Sequence, residues 1–338
     1  MRQIEIMTAG PHSSIQDHGR TGHQALGVPE GGVLDRDAMR IANALVGNND
    51  GAAVLEVCLG GLSFVLGASA RVALTGTKEG RLSIQDSTGF HLDVPSFRSV
   101  DLKAGRAVRV NMLTDSNTAV IAISGGVQVP LLYGSMATSP NAMIGGLEGR
   151  LLRDGDRLDL GEAMVIDSPE MQIKPLPSVL SGDHAPIRVV LGPQDHRFTD
   201  QALTTLTSCD YRLTPVLNRM GMRLDGPTLA HIDNADIPSD GIVTGSIQVP
   251  GNGIPIILLA DHQTTGGYTK IATVISADLP KLARLRPGQA IRFQAVTLEE
   301  AEKIARDHAH DFRQLIASMK PAPPLLDAGA LYGLGDTT

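Results

Sequence analysis

The sequence predicts a mainly β protein with a few helices, divided into two domains. Three observations support this prediction. The chain has 338 residues, enough for two domains of medium size. Its 37 glycines and 20 prolines interrupt the sequence at short intervals, as in turn-rich β folds. The apolar runs between these interruptions are mostly short enough to be strands.

The first half of the chain predicts a barrel or sandwich with one helix. Residues 2–6 alternate polar and apolar side chains and predict a first strand. The segment 10–32 is glycine-rich and too irregular for a helix, and ordered loops of this length are usually functional. A helix follows, with Asp35 as N-cap and Gly47 closing its C-terminus. Further strands are predicted at residues 54–59, 62–66, 70–76, 107–113, 119–126 and 156–160.

The second half predicts another set of strands and a long C-terminal helix. Asp278 is expected to cap a short helix with Pro280 in its first turn. The long helix spans 297–319 and opens with a Thr297-x-x-Glu300 capping box. Strands are predicted at residues 187–194, 245–250, 254–260, 270–275 and 290–296.

The predicted domain boundaries follow the proline-rich segments. Residues 1–166 form the first domain, and residues 187–320 form the second with the long helix at its end. Between them, residues 167–186 contain four prolines without periodicity and are interpreted as a linker. Residues 321–338 are expected to be an irregular tail.

The stretch 239–268 has the highest density of polar groups suited to a small planar ligand. An almost entirely apolar run, 254–260, predicts a buried strand that ends at Asp261, where a loop begins. An ordinary glycine-rich turn capped by Asp261 explains the same pattern equally well. The polar side chains of the stretch are Asp240, Gln248, Asp261, Gln263, Thr264, Thr265 and Tyr268.

A second polar pair lies near the N-terminus. Asp17 and Arg20 flank Gly19 in the long loop. They either contact a ligand or form a structural pair that holds the loop, and the sequence does not decide between the two.

Composition and missing motifs exclude several functional classes. A net charge of -7 and a pI near 5.8 argue against a nucleic-acid partner. No apolar run approaches the roughly 20 residues of a membrane span, and the two distant cysteines, Cys58 and Cys209, favour a reduced cytoplasmic protein. No metal-binding motif, P-loop or serine-hydrolase elbow occurs in the sequence.

Several motifs together resemble one known family. They are QD-x-GR-x-G at 16–22, SDGI at 239–242, GSIQVP at 245–250, G-x-P-I at 253–256 and D-x-Q-T-T-G-G-Y at 261–268. This order and spacing are similar to the C subunits of bacterial ATP-dependent 5-oxoprolinases. The same family is labelled biotin-dependent carboxyltransferase, allophanate hydrolase subunit 2 and antagonist of a sporulation-kinase inhibitor.

The resemblance implies a fold and a function. The fold would be two cyclophilin-like β-barrel domains in tandem. The function would be that of an enzyme subunit that opens the lactam of 5-oxo-L-proline to L-glutamate and is inactive alone. Its partners would be 5-oxoprolinase subunits A and B, the latter resembling the kinase inhibitor, and ATP would be bound with or by them.

For such a reaction, the polar and charged residues of the sequence provide candidate site residues. Asp240 and Asp261 are the candidate acid–base or water-orienting carboxylates. Arg219 and Arg223 would supply positive charge to a developing anion. The remaining candidates, expected to contact the substrate, are Gln248, Gln263, Thr264, Thr265, Tyr268, Asp17 and Arg20.

Two alternative functions remain open. The chain could move a carboxyl group to urea or another small amide from biotin on a separate chain. It would carry no biotin itself, since Lys320 lies between Met319 and Pro321 and not between two methionines. The other alternative is a non-enzymatic role as a partner-binding antagonist of a kinase inhibitor.

Overall fold

The fold is mainly β with four α-helices among the described residues, as predicted. A computed structural model describes residues 2–163, 168–174 and 185–325. They form two compact units. The first contains 1–18, 35–180 and 314–338, and the second contains 19–34 and 181–313.

The strands of the first unit form two large antiparallel sheets and one short pair. The larger sheet has the order β11-β12-β1-β4-β9-β6-β7, the second has the order β2-β3-β10-β5-β8, and β13 pairs with β23. The strands are β1 (Gln3–Thr8), β2 (His12–Gln16), β3 (Val54–Cys58), β4 (Ser63–Leu66), β5 (Ala70–Thr75), β6 (Arg81–Gln85), β7 (His91–Pro95), β8 (Ser99–Leu102), β9 (Ala107–Val110), β10 (Thr118–Ile123), β11 (Val127–Gln128), β12 (Arg157–Leu160), β13 (Met171–Gln172) and β23 (Lys320–Pro321).

Side chains from both sheets share one apolar core. Ile4 and Phe64 from the larger sheet and Leu55 and Leu74 from the smaller one are fully buried in it. The alternation of apolar and polar residues in the larger sheet leaves one face for this core. The first unit is therefore built as two sheets packed face to face.

Helix α1 (Arg36–Val46) packs on β5 and β10. Its ends are those predicted from the sequence. The Asp35 carboxylate accepts a hydrogen bond from the Ala38 amide at 2.9 Å, and Gly47 has the left-handed conformation that ends the helix.

The second unit is a closed barrel of seven strands with a two-stranded ribbon. The barrel order is β14-β21-β18-β19-β16-β15-β22, and β17 pairs with β20 in the ribbon. The strands are β14 (Ile187–Leu191), β15 (Asp210–Asn218), β16 (Gly221–Asp225), β17 (Asp236–Gly241), β18 (Ser246–Gln248), β19 (Ile256–Leu258), β20 (Thr265–Tyr268), β21 (Lys270–Val274) and β22 (Ala290–Ala295).

The strand register separates the inner and outer faces of the barrel wall. Ile247 pairs with Ile257 and Ile257 with Met222, and all three belong to the apolar core. Side chains alternate along a strand, so the next residues point outward. Gln248, which pairs with both Ile256 and Lys270, therefore lies on the outer face.

Three helices lie in the described part of the second half of the chain, and one predicted cap is wrong. They are α2 (Asp200–Ser208), α3 (Leu279–Arg284) and α4 (Leu298–Ala317). The capping box of α4 is confirmed, since the Thr297 amide donates to Glu300 and the Glu300 amide to Thr297. Asp278 makes no side-chain cap on α3, because its buried carboxylate instead binds Arg188 and Lys281.

The two units differ from the predicted domain boundaries. Residues 19–34 belong to the second unit and not to the first. The division after Arg313 falls within α4, so the end of that helix belongs to the first unit. Such boundaries depend on distant contacts that leave no signal in local composition.

Parts of the predicted linker and tail are ordered strands. Met171 pairs with Pro321, and Gln172 pairs with Lys320. The prediction of irregular structure there is wrong because strands of two residues have no detectable periodicity. Within the predicted linker and tail, residues 167, 175–184 and 326–338 lie outside the described residues. No helix in the described part of the chain has the length and apolarity to cross a membrane.

The fully buried carboxylate of Asp278 makes a strong pH-dependent contribution to the second unit. Arg188 donates its backbone amide and Nε to Oδ2, at 2.8 and 3.0 Å, and Nη2 to Oδ1 at 2.6 Å. Burial alone would raise the pKa of Asp278, but the hydrogen bonds from Arg188 and Lys281 lower it overall. Because the folded pKa is below the unfolded value of about 3.9, this contribution is complete above that pH and is lost as the pH falls below it.

We predict that Asp278→Asn lowers the free energy of unfolding by roughly 3 kcal/mol at pH 7, since it leaves two partly buried cations, Arg188 and Lys281, without their shared carboxylate. The loss should shrink below pH 4. Urea unfolding at several pH values measures it. The matched control is Asp307→Asn, which breaks an exposed ion pair with Lys303 on α4 and should have no measurable effect. Equal effects of the two substitutions would contradict the prediction.

Candidate functional site

A polar cluster lies on the outer face of the barrel, where the ribbon meets β18 and β21. Two pairs of facing residues build it. Gln248 and Lys270 face each other on the barrel wall, and Asp240 and Gly266 face each other on the ribbon. With Gln194, which follows β14, these residues are called the outer-face cluster.

Lys270 and Asp240 connect the barrel wall to the ribbon. The Lys270 side chain is 2% exposed, and its Nζ lies 2.8 Å from Oδ2 of Asp240, whose side chain is 51% exposed. Gln194 fixes both residues, because its Oε1 accepts from the Lys270 amide at 3.0 Å and its Nε2 donates to Asp240 Oδ2 at 3.1 Å. The ammonium group is therefore enclosed, while the carboxylate reaches solvent.

Gln248 and Gly266 form the second contact between wall and ribbon. Gln248 is 3% exposed, and its Nε2 is enclosed without a hydrogen-bond partner among the described residues. A Cβ atom added to Gly266 would lie 2.8 Å from this nitrogen, 3.5 Å from Gln263 Nε2 and 2.7 Å from Ile242 Cδ1. Two amide nitrogens thus lie close to the position that a side chain on Gly266 would occupy.

The Asp240 carboxylate is held in its ionised form. The hydrogen bond from Lys270 lowers the pKa of Asp240 most, and the Gly241 amide, which donates to Oδ1 at 2.8 Å, lowers it further. Asp240 therefore accepts hydrogen bonds at neutral pH and does not act as a proton donor there.

A histidine contacts the residue that precedes Lys270 of the cluster. The Nε2 atom of His231 lies 2.9 Å from the hydroxyl of Thr269, the residue before Lys270. Burial lowers the pKa of His231, and the charge of Arg197 also lowers it, against an opposing effect of the Val249 carbonyl. The imidazole is therefore neutral at pH 7.

Arg219 and Asp261 form a separate, enclosed ion pair. Nε and Nη2 of Arg219 donate to the two carboxylate oxygens at 2.9 and 3.0 Å, and both side chains are less than 5% exposed. Nη2 also donates to the Gly32 carbonyl at 2.6 Å, and the Gly31 amide donates to the Ala260 carbonyl at 3.0 Å. The pair therefore fixes the segment 19–34 in the second unit.

The predicted site residues fall into several groups. Asp240, Gln248 and Gln263 lie together at the ribbon, while Asp261 is paired with Arg219. Thr264 contributes its carbonyl to the Ile242 amide, at 3.1 Å. The ligand-binding and catalytic roles assigned to these residues stay predictions.

The other predicted residues lie farther along the strands or in the first unit. Thr265 faces Gly241 on the ribbon, and Tyr268, also on the ribbon, is 43% exposed. Arg223 is exposed on the outer face, two strands from Gln248 and so about 10 Å away.

Asp17 belongs to the first unit and accepts from the Ser135 hydroxyl and the Met136 amide, each at 2.6 Å. Arg20 is buried in the second unit.

Lys270 and Gln194 were not predicted from the sequence. The available signal for Lys270 was a single charged residue at the start of an otherwise apolar strand, which usually indicates an exposed strand end. Among the described residues, no three His, Cys, Asp or Glu side chains are arranged to hold a metal ion.

By its fold and its candidate site, the chain is a mainly β protein of two units with an enclosed polar cluster outside a closed barrel. The profile of the family described as "Carboxyltransferase domain, subdomain A and B" matches residues 26–295. The chain belongs to this family, which confirms the resemblance seen in its motifs.

Relatives and solved structures agree with this membership. The chain is 38% identical to the 5-oxoprolinase C subunit of Escherichia coli (strain K12), over 92% of this chain and 97% of that protein. It is 33% identical to the 5-oxoprolinase C subunit of Haemophilus influenzae, over 90% and 94%. The crystal structure of the K. lactis urea amidolyase matches with a TM-score of 0.81 and 25% identity over 96% of this chain, which spans only 20% of that longer chain.

The enclosed position of Gly266 leads to a prediction. We expect Gly266→Ala to lower the free energy of unfolding by about 1–3 kcal/mol, because its methyl group must displace Gln248 or Ile242. The control is Gly241→Ala on the facing strand, where an added Cβ has no neighbour within 4 Å. Urea unfolding of both variants measures the difference, and equal stability would show that the ribbon does not close over Gln248.

A second prediction separates a structural from a catalytic role of Asp261. Asp261→Asn should cost roughly 3–5 kcal/mol of unfolding free energy, because Arg219 stays buried with its partner carboxylate removed. The double variant Arg219→Met/Asp261→Leu should recover much of this loss. If Asp261→Asn is as stable as the parent but inactive in the assembled enzyme, Asp261 is catalytic and the structural interpretation is wrong.

Proposed function

We propose that this chain is the C subunit of an ATP-dependent 5-oxoprolinase, which opens the lactam of 5-oxo-L-proline to L-glutamate. The observation that carries the proposal is the end-to-end similarity to the E. coli protein, at 38% identity over 97% of its length. The outer-face cluster supports it, since an enclosed amide donor beside an ion pair suits a small polar ligand.

The cluster residues suggest how the chain contributes. Lactam hydrolysis needs a carbonyl made electrophilic and a water molecule oriented towards it. Ionised, half-exposed Asp240 is suited to orient such a water by accepting a hydrogen bond from it, although its lowered pKa makes it a weak base. Gln248 Nε2, which lacks a partner among the described residues, is suited to donate to a substrate oxygen.

We propose that ATP is bound with or by the 5-oxoprolinase subunits A and B, in the cytoplasm. The sequence contains no G-x-x-x-x-G-K-[ST] loop. The E. coli and H. influenzae relatives are both named as C subunits, which supports the existence of partners. The resemblance of the B partner to a kinase inhibitor is part of this proposal. A chain of this kind would be inactive without its partners.

Carboxyl transfer is the second candidate function. The family description and the similarity to the K. lactis urea amidolyase favour it. In that case biotin would be carried by another chain, and the same cluster would face urea or a related small amide. The third candidate, a non-enzymatic antagonist of a kinase inhibitor, depends on surface contacts and not on Asp240.

The test is reconstitution of the chain with its A and B partners. We expect glutamate release from 5-oxoproline that requires ATP and disappears when this chain is omitted. Asp240→Asn should lower kcat about 100-fold, because a carboxylate that orients or deprotonates water is lost. Asp307→Asn, which breaks an exposed Asp–Lys pair on α4, is the matched control and should retain full activity.

The outcomes distinguish the candidates. Carboxylation of urea by a complex supplied with biotinylated carrier, without glutamate release, would replace hydrolysis by carboxyl transfer. Unchanged glutamate release by Asp240→Asn would remove Asp240 from the mechanism. A complex that binds its partner but catalyses neither reaction would favour the antagonist role.

A further inference from the structure

The Lys270 ammonium group has more hydrogen-bonding capacity than the described residues use. An ammonium group has three N–H donors. The hydrogen bond recorded for Nζ within the described part of the chain goes to Asp240 Oδ2, at 2.8 Å. With the side chain 2% exposed, bulk water has little access to the remaining donors. Lys270 therefore has donor capacity beyond this one hydrogen bond to a described residue, on a buried positive charge.

Asp240 compensates this charge only in part. Its side chain is 51% exposed, so solvent weakens its attraction for Lys270. Its oxygens are also shared, since Gln194 Nε2 donates to Oδ2 and the Gly241 amide to Oδ1. The positive end of the pair is buried, and the negative end is hydrated.

Gln248 provides an independent observation at the same place. Its Nε2 is enclosed and has no partner among the described residues, and a buried donor left unsatisfied costs about 1–3 kcal/mol. Gln248 and Lys270 are partners in the pairing of β18 with β21, next to a register shift between Ile247 and Gln248. Both side chains extend to the ribbon, Lys270 to Asp240 and Gln248 to Gly266.

We propose that Lys270 and Gln248 together bind the carboxylate of a small acid. The unused groups of both side chains are N–H donors, so the ligand must present acceptors. A carboxylate has two acceptor oxygens on one planar group, which matches two donors on facing strand positions. A neutral carbonyl would leave the partly compensated charge of Lys270 unmatched.

The proposed carboxylate site depends on the proposed function only for the identity of the acid that it binds. 5-Oxo-L-proline carries a carboxylate beside its lactam, whereas urea carries none. The lactam would then extend from its anchored carboxylate along the ribbon, where Asp240 and Gln263 lie. A carboxylate anchor therefore favours a cyclic amino-acid substrate over urea.

Calorimetric titration of the chain, alone and assembled with its partners, tests the proposal. The ligands are 5-oxo-L-proline and 2-pyrrolidinone, which is the same lactam without the carboxylate. We expect the acid to bind at least 10-fold more tightly. Lys270→Met should weaken binding of the acid about 10- to 100-fold and leave 2-pyrrolidinone unchanged, since one charge-assisted contact is lost. Lys270→Arg should restore part of the preference.

A further variant should change the affinity for 5-oxoproline in the opposite direction. Asp240→Asn removes the carboxylate that competes for Lys270, so binding of 5-oxoproline should become tighter even where turnover falls. Thermal unfolding of each variant verifies that it is folded. Equal binding of the two lactams, absence of binding by the acid, or a preference that survives Lys270→Met would each overturn the proposal.

The experiments can disprove the anion site and the proposed reaction independently of each other. If the assembled complex releases no glutamate but binds carboxylates through Lys270, the anion site stands and the 5-oxoprolinase function does not. If glutamate forms and Lys270→Met leaves KM unchanged, the function stands and the anion site does not.

Discussion

The central constraint in this protein is the burial of polar side chains on the outside of a barrel. The register that places Ile247 and Ile257 in the apolar core directs Gln248 outward, and a register shift between Ile247 and Gln248 brings Lys270 opposite Gln248. An outward lysine is normally hydrated, but here the β17–β20 ribbon covers it. Burial of a polar group without a hydrogen-bond partner is costly, so each such group in a folded protein calls for a structural or functional explanation. The cluster therefore follows from one strand register and one covering ribbon.

Two of the ion pairs in the second unit differ in how deeply their partners are buried. Arg219 and Asp261 are both enclosed, share two hydrogen bonds and fix a distant segment through Gly32. In the Lys270–Asp240 pair only the cation is enclosed, and the carboxylate remains accessible. The first arrangement suits a permanent structural link. The second leaves a charge available to a ligand, so the two aspartates grouped together by sequence motif are separated by their surroundings.

The sequence predicted the elements and the region of the site better than its residues. Short apolar runs and the caps at Asp35 and Thr297 are local signals, and the structure has the corresponding strands and helices. The polar density of residues 239–268 located the ribbon, with Gln248 beneath it. Lys270 gave no such signal, because its burial depends on a covering ribbon and on Gln194, 76 positions away in the chain. Asp278 was assigned to a cap for the same reason, since its partner Arg188 is 90 positions away.

The measurement that tests this account most directly is a crystal structure of the chain with 5-oxo-L-proline bound. We expect the ligand carboxylate between Lys270 Nζ and Gln248 Nε2, within hydrogen-bond distance of both, with the lactam ring along the ribbon beside Asp240. A ligand bound elsewhere, with Gln248 Nε2 hydrogen-bonded to water or to another protein group, would contradict it.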